Sequence, residues 1–158
     1  MARHSSQRSM AGNSKRPRLS ETLLWIDDYP PALALYKATM EAIGFKVLTA
    51  SSGEAGVKLA ALKPVDLVVT DYEMPGMNGE TVASEVKSIN PTIPVIIFSG
   101  SALLSHRSRR YADAFCDKAG SRNRLLGTIH RLLHGKHNAG LQPHPPLEAS
   151  HHERRTVA

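Results

Sequence analysis

Between Glu21 and about residue 134, short apolar runs alternate with segments whose apolar positions recur every three or four residues. The runs Thr22–Ile26, Lys46–Ala50, Leu67–Thr70, Pro94–Phe98 and Ala114–Asp117 are short and apolar, and predict strands. A helix is expected from Pro30-Pro31, where proline suits the first turn, to just before Gly44, with Leu33, Leu35, Tyr36, Met40 and Ile43 as its apolar positions. Ser52 can cap a second helix that stops at Leu62, ahead of Pro64. A third is expected over Gly79–Ile89, with Val82, Val86 and Ile89 on one side. The closing helix, Arg122–Leu133, shows Leu125, Leu126, Ile129, Leu132 and Leu133. Ser101–Arg110 predicts a short fourth helix of low stability, because Leu103 and Leu104 give way to His106, Arg107, Arg109 and Arg110 and leave little apolar face to bury. Strand–helix alternation of this kind implies an α/β domain: a five-stranded parallel sheet with helices on both faces.

The ends differ from the middle. Residues 1–20 carry Arg3, Arg8, Lys15, Arg16 and Arg18 with few apolar side chains, so burial cannot offset the entropy of ordering them, and a disordered basic tail is expected. Residues 135–158, with Pro143, Pro145, Pro146 and the pair His151-His152, predict a flexible tail whose histidines are solvated. The domain is therefore expected over 21–134. A chain of 158 residues has room for one such core, and nothing after it is long enough for a DNA-binding or catalytic output domain.

Charge and cysteine narrow the function classes. The net charge of +6 is spread over the N-terminal tail, the stretch His106–Arg110 and the last helix, without a DNA-reading motif, so no specific nucleic-acid partner is expected. The single cysteine, Cys116, lies in an apolar stretch and suits packing in a reduced compartment. No membrane-spanning run and no secretory leader is present, and a cytoplasmic location is expected.

The candidate chemistry lies at strand ends. Asp27-Asp28 follows the first strand and Asp71 the third, and in a parallel sheet such positions converge outside the carboxyl ends of the strands. Like charges about 4 Å apart cost roughly 1–4 kcal/mol between bulk-water and near-surface dielectric, and a hard divalent cation with oxygen ligands relieves that cost, which points to a magnesium-type site. Ser99 and Lys118 end the fourth and fifth strands and add a hydroxyl and an amine to the same rim.

This set, Asp27-Asp28, Asp71 followed by Met74-Pro75-Gly76-Met77-Asn78-Gly79, then Ser99, and Phe115 three before Lys118, resembles the receiver domain of two-component response regulators over about residues 21–134. The resemblance implies a flavodoxin-like (βα)5 fold. It implies that Asp71 is a phosphoacceptor for a phosphoryl group from a sensor histidine kinase or histidine phosphotransfer protein, or from a small acyl phosphate. It implies Mg2+ held by Asp28, Asp71 and the backbone carbonyl of Glu73, with Asp27 assisting. Lys118 would add positive charge, and Ser99 and Phe115 would form the switch read by a downstream protein target. Catalysis would be confined to the chain's own phosphorylation and dephosphorylation. Receivers often pair through their fourth and fifth helices, so a homodimer stays open.

Two departures alter the expectation. Ala119 stands where receivers carry proline after the lysine, which predicts either a trans bond with a reshaped loop or a strained cis bond. The interval from Ser99 to Lys118 is also shorter than the family pattern, and the deficit falls on the arginine-rich fourth helix, which suggests an altered output surface for an acidic partner. Other classes compete. A pseudo-receiver serving as a constitutive binding module would accompany a damaged lysine loop. An aspartate-nucleophile phosphohydrolase would carry aspartate, not Glu73, two residues after the nucleophile. Nucleic-acid binding through the tails would be salt-dependent.

Overall fold

Five parallel strands make one sheet in the order β2-β1-β3-β4-β5: β1 (Thr22–Ile26), β2 (Lys46–Ala50), β3 (Leu67–Asp71), β4 (Val95–Ser99) and β5 (Ala114–Asp117). They alternate with α1 (Pro30–Glu41), α2 (Gly53–Leu62) and α3 (Gly79–Ile89), and α4 (Arg122–His134) closes the domain. This computed structural model describes residues 20–100 and 110–135. The expected tails and the expected fourth helix, apart from Ser20, Arg110 and Gly135, lie outside the described residues.

The continuous apolar strands are explained by burial on both faces. Side chains alternate across a strand, so Leu23, Trp25, Leu67, Val69, Ile96 and Phe98 join Met40 of α1 and Leu125 and Ile129 of α4 in one core layer. Leu24, Ile26, Val68 and Val95 join Ala60 of α2 and Val82, Ala83 and Val86 of α3 in the other. Local signals set the helix starts. Ser52 Oγ accepts from the Ala55 N–H at 3.2 Å and Asn78 Oδ1 from the Thr81 N–H at 2.9 Å, while prolines open α1.

Three apolar positions differ from expectation. Leu35 is 61% exposed, because it projects almost opposite the Leu33–Tyr36–Met40 stripe that meets the sheet. Ile43 lies past the end of α1 and Ile89 is the last residue of α3, and both are exposed. Three strand bounds also move: β3 runs on to Asp71, and β4 starts at Val95 and runs on to Ser99. Among the described residues no helix is long and apolar enough to cross a membrane.

Candidate functional site

The sheet delivers its polar residues to one rim because β1, β3, β4 and β5 all run in the same direction and end in register. Asp71 pairs with Phe98 across β3 and β4, and Ser99 pairs with Asp117 across β4 and β5. Ligand atoms of Asp27, Asp28 and Asp71 all lie within 4.8 Å of one another. The adjacent pair is not equivalent. Asp27 is 1% exposed: its Oδ1 accepts from the Tyr29 N–H at 2.9 Å and its Oδ2 from Lys118 Nζ at 2.9 Å. Asp28 is exposed to solvent.

Asp71 takes the end of β3, where its Oδ1 accepts from the Tyr72 N–H at 2.8 Å and stands 3.2 Å from Lys118 Nζ. The turn that follows is held shut by the Gly79 N–H donating to Tyr72 O at 3.0 Å. A Cβ on Gly79 would stand 2.3 Å from the backbone carbonyl oxygen of Asp71, so only glycine lets α3 begin this close to the end of β3. Glu73 is exposed in that turn, and Gly76 adopts φ +76° within it.

Lys118 bridges two acids at the ends of different strands, Asp27 just past β1 and Asp71 closing β3. Its backbone N–H donates to Ser99 O at 2.9 Å, continuing the β4–β5 ladder, and Nζ lies 5.9 Å from the centre of the Phe98 ring. No cis peptide bond occurs among the described residues, so the link to Ala119 is trans. Ser99 is buried, and Phe115 is half-buried on β5 opposite Ile97. The rim thus gathers Asp27, Asp28, Asp71, Ser99 and Lys118, while Phe115 lies one turn of the pleat further back.

Burial raises the pKa of Asp71 above its ordinary value, an effect that Lys118 opposes and the charge of Asp27 reinforces. For Lys118, burial acts to lower the pKa, but pairing with Asp27 and Asp71 outweighs it and the net direction is upward. Three carboxylates against one ammonium leave two negative charges uncompensated beside oxygen donors, which fits a hard divalent cation.

The sequence reading missed the layer beneath the lysine. Tyr36 stacks on Trp25 at 4.6 Å between ring centroids, and Phe98 meets both rings edge-on at 5.3 and 5.8 Å. A cavity of about 180 Å3 opens beside this cluster, bounded by Tyr36, Phe98, Lys118, Ser121 and Leu125. Trp25 and Phe98 were legible as strand residues, but their meeting with a helix side chain is a tertiary fact that no local spacing encodes.

Comparison with known proteins agrees with this geometry. Residues 23–130 match the family described as the response regulator receiver domain. The chain is 30% identical over 100 residues to the autoinducer 1 sensor kinase/phosphatase LuxN of Vibrio campbellii, which covers 63% of the chain and 12% of that protein. It therefore spans a small part of this curated relative. Among solved structures, a receiver domain protein from Clostridium thermocellum superimposes with a TM-score of 0.69 at 30% identity, covering 74% of this chain and 97% of the other. The response regulator TrrA of Thermotoga maritima, solved in complex with Mg2+ and BeF, gives 0.68 at 29% identity, covering 72% and 99%.

Proposed function

The chain belongs to the response regulator receiver domain family, and from that premise we propose that it is a phosphorylatable signalling receiver whose phosphoacceptor is Asp71. The observation that carries the reading is the position of Lys118 Nζ, which draws Asp27, 91 residues away in sequence, and Asp71 to one point at the carboxyl rim. In the proposed reaction a carboxylate oxygen of Asp71 attacks the phosphorus of a phosphohistidine or a small acyl phosphate. The new O–P bond forms as the bond to the donor breaks, and the departing imidazole or carboxylate keeps the electron pair. Asp71 is suited to this by a side chain that is mostly buried yet 12% exposed on the rim.

Asp27, Asp28 and Asp71, with the backbone carbonyl of Glu73, would hold Mg2+. Bound there, the ion would offset charge on the transferring group. Lys118 supplies a second, fixed positive charge beside the attacking carboxylate, already oriented before the donor arrives. Ser99, at the end of β4, would donate its hydroxyl to the new phosphoryl group, and Phe115 behind it would report the change by repacking. A phosphoryl group brings roughly 1.5–2 negative charges, enough to bias a two-state element.

Receivers of this family are signalling modules that take phosphoryl groups from sensor histidine kinases or phosphotransfer proteins. We assign this chain such a donor in the cytoplasm and an output by contact with a protein target. Trp25 offers the test, since it is fully buried and stacked in the aromatic cluster on which Lys118 rests. Saturable fluorescence changes on adding Mg2+ and then beryllofluoride, the second lost in Asp71→Asn, are expected. A wild-type protein silent to both would overturn the reading.

A further inference from the structure

Asp117, the last residue of β5, is exposed, yet it makes contacts that bear on Lys118 beside it. Its Oδ1 accepts from the Ala119 N–H at 2.8 Å, and its backbone carbonyl accepts from the Gly120 N–H at 2.9 Å. With the Lys118 N–H donating to Ser99 O, these bonds fix the backbone on both sides of the lysine at the point where the chain leaves the sheet. The turn is tight: a Cβ on Gly120 would stand 3.0 Å from Asp117 O. Among the described residues Lys118 forms its ion pairs with Asp27 and Asp71, so Asp117 acts on it through the turn and not through a salt bridge.

A lysine charge sits on a flexible four-carbon stem, so where its root points decides how much of its time Nζ spends between two carboxylates. Deepening the reading of Asp71 as phosphoacceptor, on which it rests, we propose that Asp117 is a positioning residue for phosphoryl transfer. By capping the Ala119 N–H, it closes a trans-peptide turn that aims Lys118 at Asp27 and Asp71. Since the acceptor oxygen does this, and not the negative charge, asparagine should serve in its place and alanine should not.

The experiment uses the full chain and the variants Asp117→Ala and Asp117→Asn. Two readouts are taken: the rate of phosphorylation by acetyl phosphate at saturating Mg2+, and the Lys118 ε-methylene signal in 13C-lysine-labelled protein, which is expected upfield because Nζ lies over the Phe98 ring at 5.9 Å from its centre. We expect Asp117→Ala to slow phosphorylation about five- to tenfold, the effect of losing one ordinary hydrogen bond at the barrier. It should also lose the upfield shift, while Asp117→Asn keeps both near the wild-type values. In a Lys118→Ala background, Asp117→Ala should slow the reaction no further.

An alanine variant with unchanged Lys118 signal, an asparagine variant as impaired as alanine, or an equal slowing in the Lys118→Ala background would overturn the proposal. Should the wild type accept no phosphoryl group, the assignment of Asp71 fails, and the Lys118 signal alone still decides whether Asp117 positions the lysine.

Discussion

Lys118 Nζ stands 3.2 Å from Asp71 Oδ1 while also bonded to Asp27 Oδ2 at 2.9 Å, so one ammonium occupies the edge of the site that a divalent cation would share. The two cations repel, and removing the lysine should have effects of opposite sign on binding and on chemistry. Lys118→Ala is expected to bind Mg2+ more tightly by about 1 kcal/mol, several-fold in Kd. It should also phosphorylate more slowly, by about tenfold or more. Calorimetric Mg2+ titration and acetyl phosphate kinetics on the same variant check both directions.

Asp71 titrates with a sign that can be read in stability. Burial raises its pKa from the ordinary 3.8, so the folded chain holds the proton more firmly than the unfolded chain does. Its favourable contribution is then complete below the ordinary value and is lost as pH rises through the raised one. In metal-free buffer, Asp71→Asn should be more stable than wild type at pH 7, with the difference shrinking as pH falls toward about 4. Urea midpoints at several pH values report this, and Mg2+ should narrow the gap at pH 7 by stabilising the wild-type carboxylate.

The neighbouring acids should separate in mutation. Asp27 is buried and satisfies both the Tyr29 N–H and Lys118, so Asp27→Ala is expected to cost roughly 1–3 kcal/mol of folding stability. Asp28 is exposed beside two other carboxylates, so Asp28→Ala should leave metal-free stability unchanged or slightly raised while weakening Mg2+ binding. Denaturant curves with and without Mg2+ distinguish the two roles.

Gly79→Ala tests how closely α3 must approach the acceptor. The added methyl group would meet the Asp71 carbonyl and Tyr72 Cα, both backbone, so relief must move the strand end itself. A loss of roughly 1–3 kcal/mol is expected, with phosphorylation falling alongside it, measurable by thermal unfolding and acetyl phosphate kinetics.

Much of this architecture was legible in the chain. Apolar runs buried on both faces lack polar alternation, and proline, serine and asparagine mark helix starts by local hydrogen bonding or fixed φ, so the strands and caps follow from neighbouring residues alone. The rim residues were legible too, because parallel strands end together: Asp27, Asp71, Ser99 and Lys118 needed only their places at strand ends. What sequence could not divide was the pair Asp27-Asp28, identical in type but opposite in burial, since that depends on which carboxylate the lysine reaches. Nor could it rank Leu35 against Leu33, separate the two possible geometries at Ala119, or foresee that Asp117 caps the turn while Phe98 meets Tyr36 edge-on beneath the lysine. The aromatic cluster and the burial of Leu33 depend on contacts between distant elements, whereas the turn around Ala119 is local but has no proline to mark it.

The central claim is that Asp71 accepts a phosphoryl group, and intact mass spectrometry after incubation with acetyl phosphate and Mg2+ tests it most directly. The account predicts that the wild type gains the mass of one phosphoryl group, that the gain is lost on chelating Mg2+, and that Asp71→Asn gains nothing. Equal labelling of wild type and Asp71→Asn, or no labelling of the wild type under any Mg2+ concentration, would contradict it.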